Sequence, residues 1–411
     1  MPTPDSSSIV IVGAGHCGGR TAQHLRAYGF TGSIDLVGDE ASPPYERPPL
    51  SKDALVCTKH LDELDIMSMN AMRELGVTQH HATVVSVDAV RNTAELSNGK
   101  ALAYSALLFA NGGSPRRLGI PGEDLPGVLR LRTKDDALRL SERLKGGQHI
   151  VVVGGGFIGL EVAASARKLR CEVTLLEAGP QIMGRAVPPA LAERARLVHL
   201  AKGVQLHCNL SPVHIAQVKR RLELTLSDGS TLLADTVVVG IGIAAGVQLA
   251  QAAGVAVARG ILVDAQLRTN IANIYAAGDV AEFPSPASGA WLRQETWSNA
   301  EAQARVVAQN LAGGQVAFEA KSWFWSDQYD YQLQVCGEPS AAVTSVERAL
   351  EDGDLILFYL DAGGRVVGAS GWGLTARIAK EMKLARALVE REVHTSALAL
   401  ADPLTRLKSL L

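Results

Sequence analysis

Ile9-Val10-Ile11-Val12-Gly13-Ala14-Gly15-His16-Cys17-Gly18-Gly19 joins a β-branched apolar run to a Gly-x-Gly-x-x-Gly turn, and an amphipathic stretch follows. A buried parallel strand, a phosphate-binding turn and a helix N-terminus are written this way. Gly13 permits the tight turn, Gly15 lets the backbone approach a pyrophosphate, and Gly18 lets the helix pack on the strand. Phosphates would then meet unpaired N–H groups at the positive end of the helix dipole. Alone, the motif also fits a glycine-rich strand–helix junction of purely structural use, so the rest of the chain decides.

The pattern recurs. His149-Ile150-Val151-Val152-Val153-Gly154-Gly155-Gly156-Phe157-Ile158-Gly159-Leu160-Glu161 again carries a β-rich run into Gly-x-Gly-x-x-Gly and an Ala-rich helix, Val162–Leu169. The next strand, Val173–Leu176, ends in Glu177, 18 positions past Gly159, which is the spacing of a ribose-binding acid. After the first turn, Arg20–Ala27 reads as a helix with Ala22, Leu25 and Tyr28 towards the sheet. Ile34–Val37 is the second strand and ends in Gly38-Asp39-Glu40. Either Asp39 or Glu40 is expected to accept from both ribose hydroxyls of an adenosine. Two glycine turns, each with strand, helix and acid in place, make dinucleotide binding a strong reading.

Glu177 also bears on which dinucleotide binds. A carboxylate accepts from the 2′-hydroxyl of NAD and repels the 2′-phosphate of NADP. Arg185, eight residues on, could help a phosphate, so NADPH stays the lesser candidate. Glu161 is expected on the first turn of the second helix, where a nicotinamide would approach, although an acid there is also a bland dipole partner. Gly156, Phe157 and Ile158 are assigned to the same nucleotide, and Gly242 would sit beneath the nicotinamide.

The chain has 411 residues, too many for one core. Its 47% hydrophobic and 20% charged content suits a soluble globular protein. A formal net charge of −2 points to no nucleic-acid or membrane-surface partner. Five cysteines, Cys17, Cys57, Cys171, Cys208 and Cys336, form no redox pair, disulfide framework or metal-ligand spacing, so a reducing cytoplasm is the natural compartment. The first eight residues lack a basic region and an apolar region, which argues against a secretory signal. Thr236 to Ala258 is uncharged and long enough to cross a bilayer, but four glycines and two glutamines interrupt it. It reads as a buried strand, a glycine loop and a short core helix.

Thr269-Asn270-Ile271-Ala272-Asn273-Ile274-Tyr275-Ala276-Ala277-Gly278-Asp279 is the most specific later stretch. A strand, Ile274–Ala276, feeds a Gly278-Asp279 turn whose acid can accept from a ribityl hydroxyl. The helix after Glu295 can point N–H groups at a flavin. Beyond about residue 320 come short strands, with a hairpin at Asp361–Gly364 and a helix from Thr375 to Val393. That helix buries Ile378, Met382, Ala385 and Leu388. Its Arg377, Lys380, Lys383 and Arg386 form either a solvated face or a docking patch for an acidic redox protein.

The loop Tyr45-Glu46-Arg47-Pro48-Pro49-Leu50-Ser51-Lys52 is rigid, because its prolines fix φ and remove donors, and a helix is expected to start at Leu50-Ser51. Placed after the first glycine turn, it resembles the ferredoxin reductases of bacterial oxygenase systems. Their relatives are the rubredoxin and putidaredoxin reductases and apoptosis-inducing factor. The resemblance extends in motif order from about Ile9 to Gly371 and includes the Thr-x-x-x-Ile-Tyr-Ala-x-Gly-Asp spine. One departure is Asn111 where the family carries Thr.

The resemblance implies that Arg47 and Lys52 contact FAD, with Lys52 beside the flavin ring, and that Val84 touches the adenine. It places Glu295, Thr296 and Trp297 at the flavin edge and Trp325 at the flavin or partner side, where dense aromatics alone would suggest core packing. Cys17, Arg132, Gly278 and Asp279 are assigned to FAD with Gly13, Gly15 and Gly18. Glu161 would hydrogen-bond the nicotinamide amide and pair with Lys52, and Arg185 would contact the dinucleotide.

The expected fold is α/β, with two Rossmann-like dinucleotide-binding domains on the glutathione-reductase-like plan and a C-terminal α+β domain. The expected division is residues 1–116 and 241–319 for FAD, 117–240 for NADH and 320–411 for the C-terminal domain. The expected activity is hydride transfer from NADH to FAD, then single-electron transfer to a ferredoxin-type [2Fe–2S] protein. No cysteine cluster here could hold such a centre, so the acceptor is a separate partner or domain. Other readings of the same plan are an NAD(P)H oxidase, a peroxide or disulfide reductase, and an NADH-sensing switch.

Overall fold

The β-branched runs before both glycine turns form the central strands of two parallel sheets. Runs buried on both faces read as continuous Val and Ile, as these do. The computed structural model describes residues 7–184, 186–285, 288–319 and 321–411. Its contacts divide the chain into two compact units. One takes Met1–Arg47, Asp62–Ser114 and Ala244–Ala320; the other takes Pro48–Leu61, Pro115–Ile243 and Lys321–Leu411.

In the first unit the five parallel strands run in the spatial order Ile274–Ala276, Ala106–Phe109, Ser8–Val12, Ser33–Gly38, Val77–His81. The strand Ile274–Ala276, read from the sequence at those bounds, pairs in register with Leu107–Phe109. The chain therefore returns to this sheet after the second unit's sheet is complete. Helix His16–Ala27 begins four residues before the expected Arg20, directly on the glycine turn, and packs against helix Trp297–Leu311. Ala22 and Leu25 are buried as expected. Tyr28 is not: it ends the helix as its C-cap, exposed, because it falls past the last helical turn. Strands Val84–Asp88, Thr93–Leu96 and Ala101–Ala103 form the antiparallel meander beside this sheet.

The second unit repeats the design in the order Val204–Cys208, Glu172–Glu177, His149–Val153, Thr236–Val239, Val128–Arg130, again parallel. Its own meander is Pro212–Val218, Arg221–Leu226 and Thr231–Ala234. Helix Phe157–Lys168 starts on the second glycine turn, five residues before the expected Val162.

The C-terminal part of this unit is an antiparallel sheet, Trp323–Gln328, Tyr331–Gly337, Val366–Leu374, Leu355–Leu360, Thr344–Ala349. Helix Thr375–Glu390 covers it with Ile378, Met382, Ala385 and Leu388 buried. A Cβ on Gly371 would meet Met382 Sδ at 2.7 Å, so glycine lets helix and sheet approach.

The proline loop departs from expectation. Pro48–Ser51 is a single 3₁₀ turn, and turns follow it instead of an α-helix. Pro48 and Pro49 lack donors, and the amides of Lys52 and Ala54 both return to the Pro49 carbonyl at 3.1 Å. The uncharged span from Thr236 resolves into strand Thr236–Val239, a glycine loop and the short helix Gln248–Ala252. Among the described residues, no helix is long and apolar enough to cross a membrane.

Candidate functional site

Within the first unit the turn Gly13–Gly18 is shaped by its own backbone. Gly13 sits at φ +114°, and its amide donates to the Val37 carbonyl at 2.8 Å. A Cβ there would lie 2.4 Å from the Ala110 oxygen, and one on Gly18 would lie 2.0 Å from the Gly13 oxygen. Gly15 differs, since a Cβ on it would meet only Arg47 Nη2, at 3.6 Å. Gly15 is also the N-cap residue of helix His16–Ala27, with no side chain capping the first amides. The cradle therefore opens at Gly15, where a pyrophosphate needs it.

Opposite the turn, Gly278 takes φ +79° and donates its amide to Gln303 Oε1 at 2.8 Å, with Cys17 Sγ 3.3 Å from where its Cβ would lie. Three buried polar atoms in this region, His16 Nδ1, Asn299 Oδ1 and Gln303 Nε2, have no hydrogen-bond partner within the protein. Buried polar groups without partners are rare, and a bound polar group satisfies them. The cradle and these atoms fit a dinucleotide. Asp279 offers its carbonyl to Arg293 Nη1 at 3.0 Å. Arg293 also pairs with the exposed Glu295, Thr296 caps the helix by accepting the Asn299 amide, and the Trp297 ring lies 5.4 Å from His16. Burial pushes the Cys17 thiol far up, with Asp279 adding to it, so this cysteine is no nucleophile.

Of the two candidate ribose acids, Glu40 is engaged. Arg47 Nη2 lies 2.8 Å from its Oε1, and the Tyr45 hydroxyl also donates to it. Burial works against the Arg47 charge, but Tyr45, Glu40 and Asp279 outweigh it and hold the guanidinium above its ordinary value. Asp39 is exposed, and its carbonyl is bonded to His81 Nε2 at 2.7 Å. Val84 is half-buried at the start of the meander.

In the second unit Gly154, at φ +109°, and Gly159 repeat the close approaches. A Cβ on them would lie 2.5 Å from the Gly240 oxygen and 2.0 Å from the Gly154 oxygen. Gly156 is the open position, its nearest obstacle 3.9 Å away. Glu177 accepts the amides of Gly155 and Gly179, each at 2.7 Å. Phe157 tilts against Phe324 with centroids 5.2 Å apart, and Ile158 is an exposed apolar side chain at the helix start. Gly242 sits at φ +92°, and a Cβ on it would meet only Arg116 Cδ, at 4.0 Å. The Arg132 amide donates to Asp136, the acid of a helix capping box. Arg185 lies outside the described residues.

The same unit brings Lys52, Glu161 and Trp325 together, as a resemblance alone had implied for the first two. Glu161 is the fifth residue of its helix, so it lies on the second turn and not the first. It is therefore no dipole partner; it is 5% exposed and faces a polar cluster. Ser326 Oγ donates to Oε1 at 2.7 Å, Ser51 Oγ donates to Oε2, and Lys52 Nζ stands 3.6 Å from Oε1.

Lys52 also contacts Asp327 at 2.9 Å and lies over the Trp325 ring, 5.6 Å from its centroid. Burial raises the Glu161 carboxyl, and Lys52 and the two serines offset this only in part. Burial disfavours the Lys52 charge, but Glu161 and Asp327 more than restore it. The arrangement is a half-buried cation between two acids, the buried one satisfied by hydroxyls. Trp325 is half-buried, stacked on Trp323 at 4.9 Å, and donates its Nε1 to Asp327 at 3.0 Å. It is neither a core residue nor a free surface ring. Ser326 and Asp327 carried no sequence signal, and Ser51 was legible only as part of the proline loop, because nothing in their local pattern announces that they converge on Glu161.

Two parallel sheets, each with an open glycine cradle, define a two-dinucleotide oxidoreductase. The chain belongs to the pyridine nucleotide-disulphide oxidoreductase family, which matches residues 7–304, and a reductase C-terminal domain matches residues 323–411. It is 38% identical over 405 residues to the ferredoxin–NAD(+) reductase component of the p-cumate 2,3-dioxygenase system of Pseudomonas putida, covering 97% of each chain. Rhodocoxin reductase of Rhodococcus erythropolis is 38% identical over 363 residues, 88% of this chain and 85% of its own. Among solved structures, a ferredoxin reductase from Rhodopseudomonas palustris superposes with a TM-score of 0.93 at 35% identity, over 98% and 99% of the two chains. Putidaredoxin reductase, in its covalent complex with putidaredoxin, gives 0.94 at 31% identity over 99% and 98%.

Proposed function

We infer that this chain is an FAD-dependent NADH:ferredoxin reductase that feeds electrons to an oxygenase system. The observation that carries the reading is full-length similarity to ferredoxin–NAD(+) reductase components, over both the nucleotide-binding and the C-terminal parts. FAD, when bound, takes a hydride from NADH and gives electrons singly to a [2Fe–2S] partner, for a balance of NADH plus two oxidised partners to NAD⁺, two reduced partners and one proton.

The residues divide the labour as follows. Gly13, Gly15 and Gly18 hold the FAD pyrophosphate on the helix N-terminus, with Cys17 and Gly278 lining the turn. Asp39 or Glu40 takes the adenosine ribose, Arg47 and Arg132 add positive charge, Val84 meets the adenine and Asp279 binds the ribityl chain. Glu295, Thr296, Trp297 and Trp325 border the flavin. Gly154, Gly156, Phe157, Ile158 and Gly159 hold NADH, Glu177 its ribose, and Arg185 and Gly242 complete the nucleotide site. Lys52 supplies positive charge where negative charge accumulates, and Glu161 orients the nicotinamide amide. Residues 1–116 and 241–319 act as the FAD domain, 117–240 as the NADH domain and 320–411 as the C-terminal domain. All five cysteines are free thiols, which favours a cytoplasmic setting.

The test is direct. Purified protein is expected to be yellow, to lose its flavin band when NADH is added, and to reduce a [2Fe–2S] ferredoxin far faster than oxygen, peroxide or disulfides. A colourless preparation that takes up no added FAD overturns the reading. Oxygen or a disulfide matching the ferredoxin rate would favour an oxidase or disulfide reductase instead.

A further inference from the structure

Four polar side chains of the second unit are buried in one continuous line. His199, on helix Pro189–Ala201, and Gln328 and Ser326, on strand Trp323–Gln328, are fully buried, and the line ends on Glu161. His199 Nε2 lies 3.0 Å from Gln328 Oε1, Gln328 Nε2 donates to Ser326 Oγ at 3.2 Å, and Ser326 Oγ donates to Glu161 Oε1 at 2.7 Å. Burying this many polar atoms is costly unless each is satisfied, and partly satisfied networks are worse than apolar packing.

The line has a direction. Ser326 has one proton, and it points at Glu161. Gln328 must then offer its NH₂ to Ser326, which leaves its carbonyl for His199. The ring proton of His199 is therefore on Nε2, and Nδ1 faces the Tyr329 hydroxyl at 3.4 Å. Protonating the Glu161 atom that Ser326 serves would reverse every link. Glu161 would donate to Ser326, Ser326 to a turned Gln328 carbonyl, and the Gln328 NH₂ would face His199 Nε2, which would have to surrender its proton.

We propose that His199 is a positioning residue for Glu161, holding the direction of the chain through Gln328 and Ser326 so that Glu161 stays a carboxylate opposite Lys52. The charged neighbours of Glu161 are Lys52 and Asp327. Around His199 the Tyr329 ring packs edge-on at 5.1 Å, with Lys202 over that ring and Arg167 acting on its hydroxyl. None of these offers a second donor to Gln328 Oε1. Burial keeps the imidazole neutral, its pKa pushed down to about 4, so it serves as a fixed donor and not as a titrating acid. The functional weight of the proposal rests on the reading that Glu161 meets the nicotinamide.

The test uses the FAD-loaded protein without NADH, labelled with ¹³C at glutamate carboxylates, and follows the Glu161 signal, assigned by its loss in Glu161→Gln, against pH. Glutamine places its NH₂ where imidazole Nε2 stands, whereas asparagine matches Nδ1. His199→Asn and His199→Leu are expected to raise the Glu161 titration by about one pH unit, a tenfold gain in proton affinity. His199→Gln is expected to restore it.

Ser326→Ala should shift it in the same direction, and the double variant with His199→Leu should shift it no further than the larger single change. A wild-type titration in both His199→Asn and His199→Leu, or a shift in His199→Gln as large as in His199→Leu, overturns the proposal. If the His199 variants lose their fold, Gln328→Leu decides: it cuts the line between His199 and Ser326 and keeps the Ser326 donor, and a wild-type Glu161 titration in it overturns the proposal. The Glu161→Gln protein separately tests the underlying reading: unchanged NADH affinity and flavin reduction rate would remove Glu161 from the nicotinamide without touching the titration result.

Discussion

Glu177 reaches back across the second glycine turn and accepts the Gly155 amide at 2.7 Å. The acid read as the ribose ligand is thus already anchored on the turn it serves, and the Gly179 amide fixes its other oxygen. A carboxylate held by two backbone donors keeps its place before any nucleotide arrives.

Glu177→Gln keeps an acceptor for one amide and loses the charge. It is expected to lower the NADH-to-NADPH ratio of kcat/KM about tenfold, since the 2′-phosphate is no longer repelled. Glu177→Ala also frees two donors and should cost about 2 kcal/mol of stability. Steady-state kinetics with both nucleotides and urea unfolding measure these effects. Unchanged selectivity in both variants would remove Glu177 from the ribose.

The glycines of the first turn should separate folding from cofactor binding. Gly13→Ala puts a methyl 2.4 Å from the Ala110 oxygen at a φ of +114°, and Gly18→Ala puts one 2.0 Å from the Gly13 oxygen. Both are expected to unfold the first unit or to lower its melting temperature by several degrees. Gly15→Ala meets only the end of Arg47, so the protein should fold, with unchanged circular dichroism, yet retain FAD poorly. Flavin content per folded chain, read from absorbance, distinguishes the cases.

His199 makes stability depend on pH. Its ordinary value is 6.5, and burial lowers it to about 4 in the folded chain. Above 6.5 both states are neutral and the contribution is complete. Below that value the unfolded chain takes a proton that the folded chain refuses, so stability is lost as pH falls from 6.5 towards 4. The wild type should lose about 3 kcal/mol more than His199→Gln between pH 7 and pH 4. Urea unfolding at a series of pH values checks this, and parallel curves would show that the imidazole does not titrate on unfolding.

Arg348 should hold the C-terminal segment. It is buried and donates to the carbonyls of Leu400 (3.1 Å), Asp402 (2.7 Å), Pro403 (3.3 Å) and Thr405 (2.8 Å). Arg348→Met removes all four bonds and leaves only the Asp402 carbonyl a donor, the Thr405 amide at 3.1 Å, at a cost of about 3 kcal/mol. Amide exchange in residues 397–410 should rise in the variant, while strand Leu355–Leu360 stays protected.

Much of this is legible in the sequence. Gly13, Gly18, Gly154 and Gly159 are placed by local backbone geometry, which a short motif records, and strand Ile274–Ala276 followed from its own pattern. Pro48 and Pro49 misled the reading of Leu50-Ser51 because a donor-free start suits both a helix and a 3₁₀ turn, and only the later hydrogen bonds separate them. Tyr28 misled through its aromatic character, which says nothing about whether the helix lasts long enough to turn it inward. Ser326, Asp327, Gln328 and His199 are silent in the sequence, and Ser51 signals only the proline loop. Each is ordinary in its own stretch, and their meaning arises only when tertiary packing brings 3₁₀ turn, strand and helix around Glu161.

The position of strand Ile274–Ala276 has a consequence for synthesis. It flanks Ala106–Phe109 in the first sheet, yet it leaves the ribosome only after the whole second parallel sheet. Through that interval Phe109 and its neighbours present an unpaired, apolar strand edge, a surface prone to association with other chains. The second sheet, continuous in sequence from Val128 to Val239, needs no such wait. The nascent chain is therefore expected to complete its two parallel sheets in reverse order, the later-encoded one first, and a stall before residue 276 would leave the opening glycine turn on a half-built sheet.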